Sequence, residues 1–179
     1  LLIDFAALGN VMSKLIYQND HPRIALLSVG SEKGKGNSLV KETTELFNAI
    51  DLNFIGNIEP NDLPNGKAEV VICDGFVGNV ILKLTEGLGS AIVNHVHKTL
   101  GDTAASKKLS KEIFEKMNIL EAFGGGPLLG VKGLAIVGHG SSGVDAAANA
   151  IGTAKYVVDT GLIEAQQAEL DRIRITVKN

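Results

Sequence analysis

Short apolar runs alternating with helix-length amphipathic stretches predict an α/β fold, a three-layer arrangement with a largely parallel sheet and helices on both faces. Ile24-Ala25-Leu26-Leu27, Val70-Val71-Ile72 and Leu134-Ala135-Ile136-Val137 are continuous rather than alternating in hydrophobicity, as strands covered on both faces are. Each leads through a polar, glycine-containing segment into a helical pattern, and α/β folds present their chemistry at the carboxyl ends of such strands. No repeat, low-complexity tract or linker interrupts the pattern, so residues 1–179 read as a single α/β unit of about domain size.

In chain order, Phe5, Leu8, Met12, Leu15 and Ile16 stand at helical intervals and predict a helix over residues 1–17. Asn19-Asp20-His21-Pro22 breaks it. The strand at 24–27 follows, then a polar glycine loop at 30–37 and a helix marked by Leu39, Thr43, Leu46 and Ile50, with Asn37 or Ser38 as N-cap. Residues 52–58 read as a strand, 60–66 as a turn-rich connection and 70–73 as the next strand. Asn79 is the expected N-cap of a helix whose Val80, Leu84, Leu88, Ile92 and Val96 recur every fourth position; Gly101-Asp102 ends it. A helix over about 106–120 carries Leu109, Ile113, Met117 and Leu120 on one face. After the break Gly124-Gly125-Gly126-Pro127 come the strand at 134–137 and the turn Gly138-His139-Gly140-Ser141-Ser142-Gly143. A helix with Val144, Ala148, Ile151 and Val158 inward and a polar helix from about Ile163 complete the chain.

Hydrophobic residues make up 45% and charged residues 21%, with a net charge of −3, a balance that argues against bulk electrostatic binding of nucleic acid. One cysteine, Cys73, excludes an intrachain disulfide and points to a reducing compartment. No uninterrupted apolar run approaches the roughly 18 residues of a membrane span, and no signal-peptide pattern opens the chain. The start Leu1-Leu2-Ile3-Asp4-Phe5, already apolar and without methionine, is expected to lie inside a larger fold.

Three glycine-rich junctions carry the candidate chemistry. Gly30-Ser31-Glu32-Lys33-Gly34-Lys35-Gly36 departs from the nucleotide P-loop: three residues separate the glycines, and Gly36 rather than Ser or Thr follows Lys35. The loop reads first as a solvated Lys-Gly segment. Ahead of a helix N-terminus it also suits a small anion, because free backbone N–H groups and the helix dipole attract negative charge. Gly138, Gly140 and Gly143 match the dinucleotide spacing, but Asp159, the acidic residue about 20 positions on, falls in a helix rather than at a strand end. His139, Ser141 and Ser142 are read equally as ligands at a strand end or as caps of sheet and helix. Neither serine has the setting of a nucleophile elbow. In the turn at 73–79, Cys73 reads as a buried structural thiol whose pKa the adjacent Asp74 raises. His95 and His97 point to different helix faces and make no metal pair.

As an ordered set these blocks resemble the phosphate acyltransferase family of bacterial phospholipid synthesis, the soluble acyl-ACP:phosphate transacylases (ACP being acyl carrier protein). The matching pieces are Phe5-Ala6-Ala7-Leu8-Gly9, Arg23 through Gly30 running into Lys35-Gly36-Asn37, Asp51 through Asn57, Cys73 through Asn79, Pro127-Leu128-Leu129-Gly130 and His139-Gly140-Ser141-Ser142. The chain corresponds to about the C-terminal half of such an enzyme, and Val77 stands where the family pattern has threonine. The resemblance implies an isocitrate/isopropylmalate dehydrogenase-like, Rossmann-like fold. It implies transfer of a fatty acyl group from acyl-ACP to inorganic phosphate, without cofactor or metal, in the cytoplasm. Lys35, His139 and Asp74 would then be the catalytic residues, with Lys35 neutralising phosphate and Asp74 orienting Lys35 or His139. Asn37, Gly75, Gly78, Asn79, Gly140, Ser141 and Ser142 would contact substrate.

The implied partners are acyl-ACP, phosphate, a second copy of the chain, the membrane surface peripherally and a downstream glycerol-3-phosphate acyltransferase; nucleic acid is not among them. Lys98, Lys107, Lys108, Lys111 and Lys116, against Asp102, Glu112 and Glu115, form either a docking face for an acidic carrier or an ordinary solvated surface. The apolar stripe on the same helix could meet a dimer mate, lipid or an acyl chain. Alternative readings are a phosphate acetyl- or butyryltransferase, an isopropylmalate-dehydrogenase-like enzyme, or a non-catalytic acyl-binding module.

Overall fold

The central strand is β1 (Ile24–Leu27), with all four side chains buried, as its continuous apolar run predicts. β2 (Phe54–Ile58) and β3 (Val70–Ile72) flank it in the order β2-β1-β3, and both pairings are parallel. The computed structural model describes residues 1–117, 125–138 and 143–178. The chain divides into two compact units, one of Leu1–Asp74, Leu129–Leu134 and Val157–Asn179, the other of Gly75–Leu128 and Ala135–Tyr156.

In the first unit the sheet is covered by α1 (Leu2–Ile16), α2 (Ser38–Ala49) and the C-terminal part of the fold. α1 buries Leu2, Ala6, Ala7, Leu8 and Val11, a stripe dominated by small side chains rather than by the predicted Phe5, Met12, Leu15 and Ile16, which are only half-buried. The reason is proximity to β3: a Cβ on Gly9 would stand 2.6 Å from Val70 Cγ1, so this face has no room for long side chains. Phe47 of α2 meets Phe54 of β2 edge to face, with centroids 5.0 Å apart, the geometry favoured by ring quadrupoles. The final helix of the chain, Leu162–Lys178, buries Leu162, Leu170 and Ile173. Its Arg174 Nε donates to Asp4 Oδ1 at 3.0 Å, tying it to α1.

The second unit begins with α3 (Gly75–Leu100), followed by α4 (Ala104–Met117) packed against it. A Cβ on Gly89 would lie 2.9 Å from Met117 Cβ, so glycine sets the close approach of the two helices. His97 Nε2 and Ser110 Oγ, 3.1 Å apart, share a hydrogen bond across the same contact. Gly126–Pro127 (β4) and Ile136–Val137 (β5) form an antiparallel pair. α5 (Val144–Asp159) leads into the last helix, hereafter α6.

Several expectations are corrected. Residues 134–137 do not form a buried parallel strand: only Ile136 and Val137 pair, antiparallel to β4, and Val137 is exposed. A continuous apolar run marks a strand without saying what covers it. The same limit applies to α5, where Val144, Ala148, Ile151 and Val158 are exposed and Val157 is buried instead. Asn79 is not an N-cap, because α3 already begins at Gly75. That places Asp74, another strong capping type, directly before the helix. Cys73 is half-buried rather than buried. Leu120 and Gly124 lie outside the described residues.

α3 is also long and apolar enough, by length and composition, to cross a membrane. Its apolar run is interrupted by Lys83 and Glu86, which pair with each other at 2.7 Å.

Candidate active site

Parallel pairing brings the exits of β1 and β3 to one edge of the sheet. Leu26 is in register with Ile72, where β3 ends, so both strands exit at the same edge. The ladder to β2 continues past β1, with Ser28 N donating to Ile58 O at 2.9 Å. The loop that follows β1 and the Cys73-Asp74 segment that follows β3 are therefore neighbours by construction, as the α/β rule for functional loops requires.

One turn and a second left-handed glycine shape the loop after β1. Lys35 N donates to Glu32 O at 3.1 Å, and Gly34 at φ +88 occupies the third position of that turn, the type II arrangement that calls for glycine. Gly36, at φ +96, then brings the chain to Asn37. Asn37 Oδ1 accepts from Val40 N at 2.9 Å and caps α2, settling the choice between Asn37 and Ser38. The amide's acceptor is thereby used, and its donor Nδ2 lies outside the cap. Lys35 is exposed, and among the described residues its ammonium has no ion-pair partner. Its aliphatic stem folds over Gly30, whose added Cβ would come within 3.0 Å of Lys35 Cγ. The Glu32 carboxylate stands over the same glycine, its Oε2 2.8 Å from that Cβ, yet among the described residues no carboxylate is within ion-pair distance of Lys35. A lysine so placed, three residues ahead of a 12-residue helix, suits a small anion.

Asp74 is half-buried and makes interactions of its own. Burial pushes the neighbouring Cys73 thiol above its usual pKa, with the Asp74 charge adding to the effect, which leaves it a poor thiolate nucleophile. Gly75, Gly78 and Asn79 fall within the first turns of α3 in the second unit, Gly75 and Asn79 exposed. His139, Gly140, Ser141 and Ser142 lie outside the described residues. Among the described residues no group of three His, Cys, Asp or Glu is placed to hold a metal ion.

One residue of this edge escapes sequence reasoning. Ser28 is 6% exposed, and its Oγ is buried with no hydrogen-bond partner. In sequence it looks like any serine one step beyond a strand.

At the opposite, amino-terminal edge a cavity of about 470 Å³ is lined by Asn10, Lys14, His21, Asp51, Glu169 and Arg172 among others. Its charges answer one another. Arg172 donates to both oxygens of Glu169, at 2.8 and 2.9 Å, and Asn10 Nδ2 donates to Oε1 at 3.0 Å. These contacts, Arg172 first, lower the Glu169 pKa. The cavity at this edge therefore offers a small anion no unneutralised arginine, whereas among the described residues Lys35 at the first edge has no ion-pair partner.

Comparison with known proteins matches residues 1–165 to the family described as fatty acid synthesis protein. The chain is 42% identical over 179 residues to the phosphate acyltransferase of Desulfitobacterium hafniense (strain DSM 10664 / DCB-2), covering 96% of this chain and 53% of that protein. It is 42% identical over 168 residues to the phosphate acyltransferase of Elusimicrobium minutum (strain Pei191), covering 90% and 49% respectively. Against the phosphate acyltransferase of Thermoanaerobacterium thermosaccharolyticum the identity is 41%, over 96% of this chain and 54% of the relative. The chain thus spans about half the length of the curated relatives it matches. The match to the family model over 165 of the 179 residues shows that the chain belongs to the fatty acid synthesis protein family.

Proposed function

We propose that this chain is part of a longer phosphate acyltransferase that moves a fatty acyl group from acyl-ACP to inorganic phosphate. A phosphate oxygen attacks the thioester carbonyl, the tetrahedral oxyanion collapses, and the carrier thiol leaves, giving acyl phosphate. Little acid–base work is required, since phosphate is already anionic near neutrality and a thiol of pKa about 8.5 is a competent leaving group. The demand is to hold an anion against a thioester and stabilise the oxyanion, which calls for a cation, N–H donors and positioning.

The observation that carries the reading is Lys35, without an ion-pair partner among the described residues, just ahead of the capped N-terminus of α2. In it Lys35 neutralises phosphate and Asn37 donates a hydrogen bond. By family resemblance, His139, Gly140, Ser141 and Ser142 complete the anion cradle, and Gly75, Gly78 and Asn79 contact substrate. Asp74 orients Lys35 or His139. The raised Cys73 pKa favours direct attack by phosphate over a thiol intermediate.

The same reading has the protein working in the cytoplasm as a homodimer, with peripheral membrane contact and delivery of its product to a glycerol-3-phosphate acyltransferase. Support for a covered face comes from Val80, Leu84, Leu88 and Ile92 of α3, each between 44% and 59% exposed. A second copy of the chain is the proposed occupant. The lysines of α4 are proposed to meet the acidic carrier. Lys107 and Lys111 are already paired, with Asp102 at 3.1 Å and Glu115 at 3.7 Å, so Lys108 and Lys116 would carry most of that attraction.

The test is acyl-phosphate formation from long-chain acyl-ACP and phosphate by the intact protein, its Lys35→Ala variant and its His139→Ala variant. Wild-type activity with loss of at least a hundredfold in each variant, at unchanged melting temperature, is expected. Absence of acyl phosphate in the wild type overturns the function, and undiminished variants overturn the site.

A further inference from the structure

We propose that Ser28 is a latent phosphate ligand, screened by Gly36 until an anion seats on the N-terminus of α2. The inference rests on the reading of the Lys35–Asn37 loop as the phosphate site. Three observations carry it. Ser28 is more than nine-tenths buried, and its Oγ has no partner, an arrangement that costs a desolvated hydroxyl its hydrogen bonds. Its hydroxyl meets the loop itself, since a Cβ on Gly36 would stand 3.0 Å from Ser28 Oγ. Finally, what screens it can yield: the loop at 31–36 is exposed or half-exposed, and Gly34 has no atom within 4 Å of its would-be Cβ.

A buried hydroxyl left unsatisfied at a strand exit, against the loop that leads into the N-terminus of α2, is placed to donate to an anion seated there. Phosphate has the acceptor oxygens to fill that role. Binding draws the Gly36 peptide aside, and Ser28 Oγ–H donates to a phosphate oxygen, together with the N–H groups at the start of α2. No bond is made or broken in this step. Because Oγ has no partner, the hydroxyl is not committed to the Asp74 carboxylate that follows β3.

The experiment uses the intact acyltransferase with inorganic phosphate and acyl-ACP, comparing Ser28→Ala, Ser28→Cys and Lys35→Ala. Removing a purely structural hydroxyl lowers stability, whereas removing one held without a partner leaves the unliganded melting temperature unchanged or raises it. Ser28→Ala is expected to do the latter while raising KM for phosphate about tenfold, the weight of one hydrogen bond to a charged group. KM for acyl-ACP stays unchanged. Ser28→Cys keeps the side-chain shape with a slightly larger atom and a weaker donor and is expected to fall between.

Unchanged phosphate KM in both Ser28 variants overturns the proposal. So does a lower melting temperature accompanied by equal changes in both KM values. If Lys35→Ala raises the phosphate KM while the Ser28 variants do not, only the role of Ser28 falls. If Lys35→Ala leaves it unchanged too, the loop reading falls with it.

Discussion

Gly36 lies directly over Ser28 and Val40: a Cβ at position 36 would stand 3.0 Å from Ser28 Oγ and 2.6 Å from Val40 Cγ1. Val40 is β-branched and sits in the first turn of α2, where its χ1 has little freedom. Neither neighbour can retreat cheaply, and φ at Gly36 is +96, in a region that L side chains avoid.

Gly36→Ala is therefore expected to destabilise the protein by about 1–3 kcal/mol, the scale of a strained non-glycine backbone. It should also weaken phosphate binding, because the start of α2 is displaced. A urea titration of wild type and variant measures the first effect and phosphate KM the second. Equal denaturation midpoints would show that the loop accommodates a side chain and that Gly36 is not the constraint described.

Asn37 combines two separable functions. Its Oδ1 caps α2 through Val40 N at 2.9 Å, and the proposed phosphate contact uses Nδ2. Serine caps as well as asparagine, whereas alanine costs about 1 kcal/mol. Asn37→Ser should keep wild-type stability, and Asn37→Ala should lose about that amount. Both lack the amide donor and should raise the phosphate KM alike. Retention of the wild-type KM by Asn37→Ser would reduce the residue to a helix cap.

The acid side of the stability profile should depend on Glu69. Arg23 N donates to Glu69 Oε2 at 2.7 Å, and Arg23 Nε donates to the same oxygen at 3.0 Å. The Arg23 side chain, then its backbone N–H, pulls the Glu69 carboxyl from about 4.5 down to about 2. A carboxyl lowered on folding contributes stability above its unfolded pKa and loses it as pH falls through its folded one. The contribution is thus complete above about pH 5 and fades between pH 4.5 and 2. Glu69→Gln should lower the denaturation midpoint at pH 7 and converge on wild type near pH 2. A difference that stays constant across that range would contradict the linkage. Solvent exposure of the pair keeps the effect modest.

These cases also show what a sequence makes visible. Ile24–Leu27 could be identified as a central strand because burial on both faces leaves an unbroken apolar run. The site edge followed from it, since parallel pairing sends neighbouring strand exits the same way. The inner face of α1 could not be read so easily. Ala6 and Ala7 are fully buried and Gly9 lies against β3, and a search for large apolar residues passes over them. The start of α3 is ambiguous in sequence because Asp74 and Asn79 are both good capping types, and the structure starts the helix at Gly75. The hydroxyl of Ser28 had no signature at all, as a missing partner is a fact of three dimensions.

The apolar row on α3 yields the last prediction. Val80, Leu84, Leu88 and Ile92 repeat on one helical face, and each remains about half exposed. Contiguous exposed apolar surface of this kind marks an interaction face. Covering the exposed half of one leucine is worth about 1 kcal/mol, and a two-fold contact counts each residue twice. Leu84→Lys combined with Leu88→Lys should therefore weaken self-association by at least a hundredfold. Helical content should be preserved, since lysine is a good helix former. Sedimentation equilibrium of the intact protein over a range of concentrations measures this directly. A wild-type dimer that dissociates in the double variant supports a second copy on this face. A variant that remains dimeric moves the dimer contact elsewhere. If the wild type sediments as a monomer and loses vesicle binding on substitution, the face belongs to lipid instead.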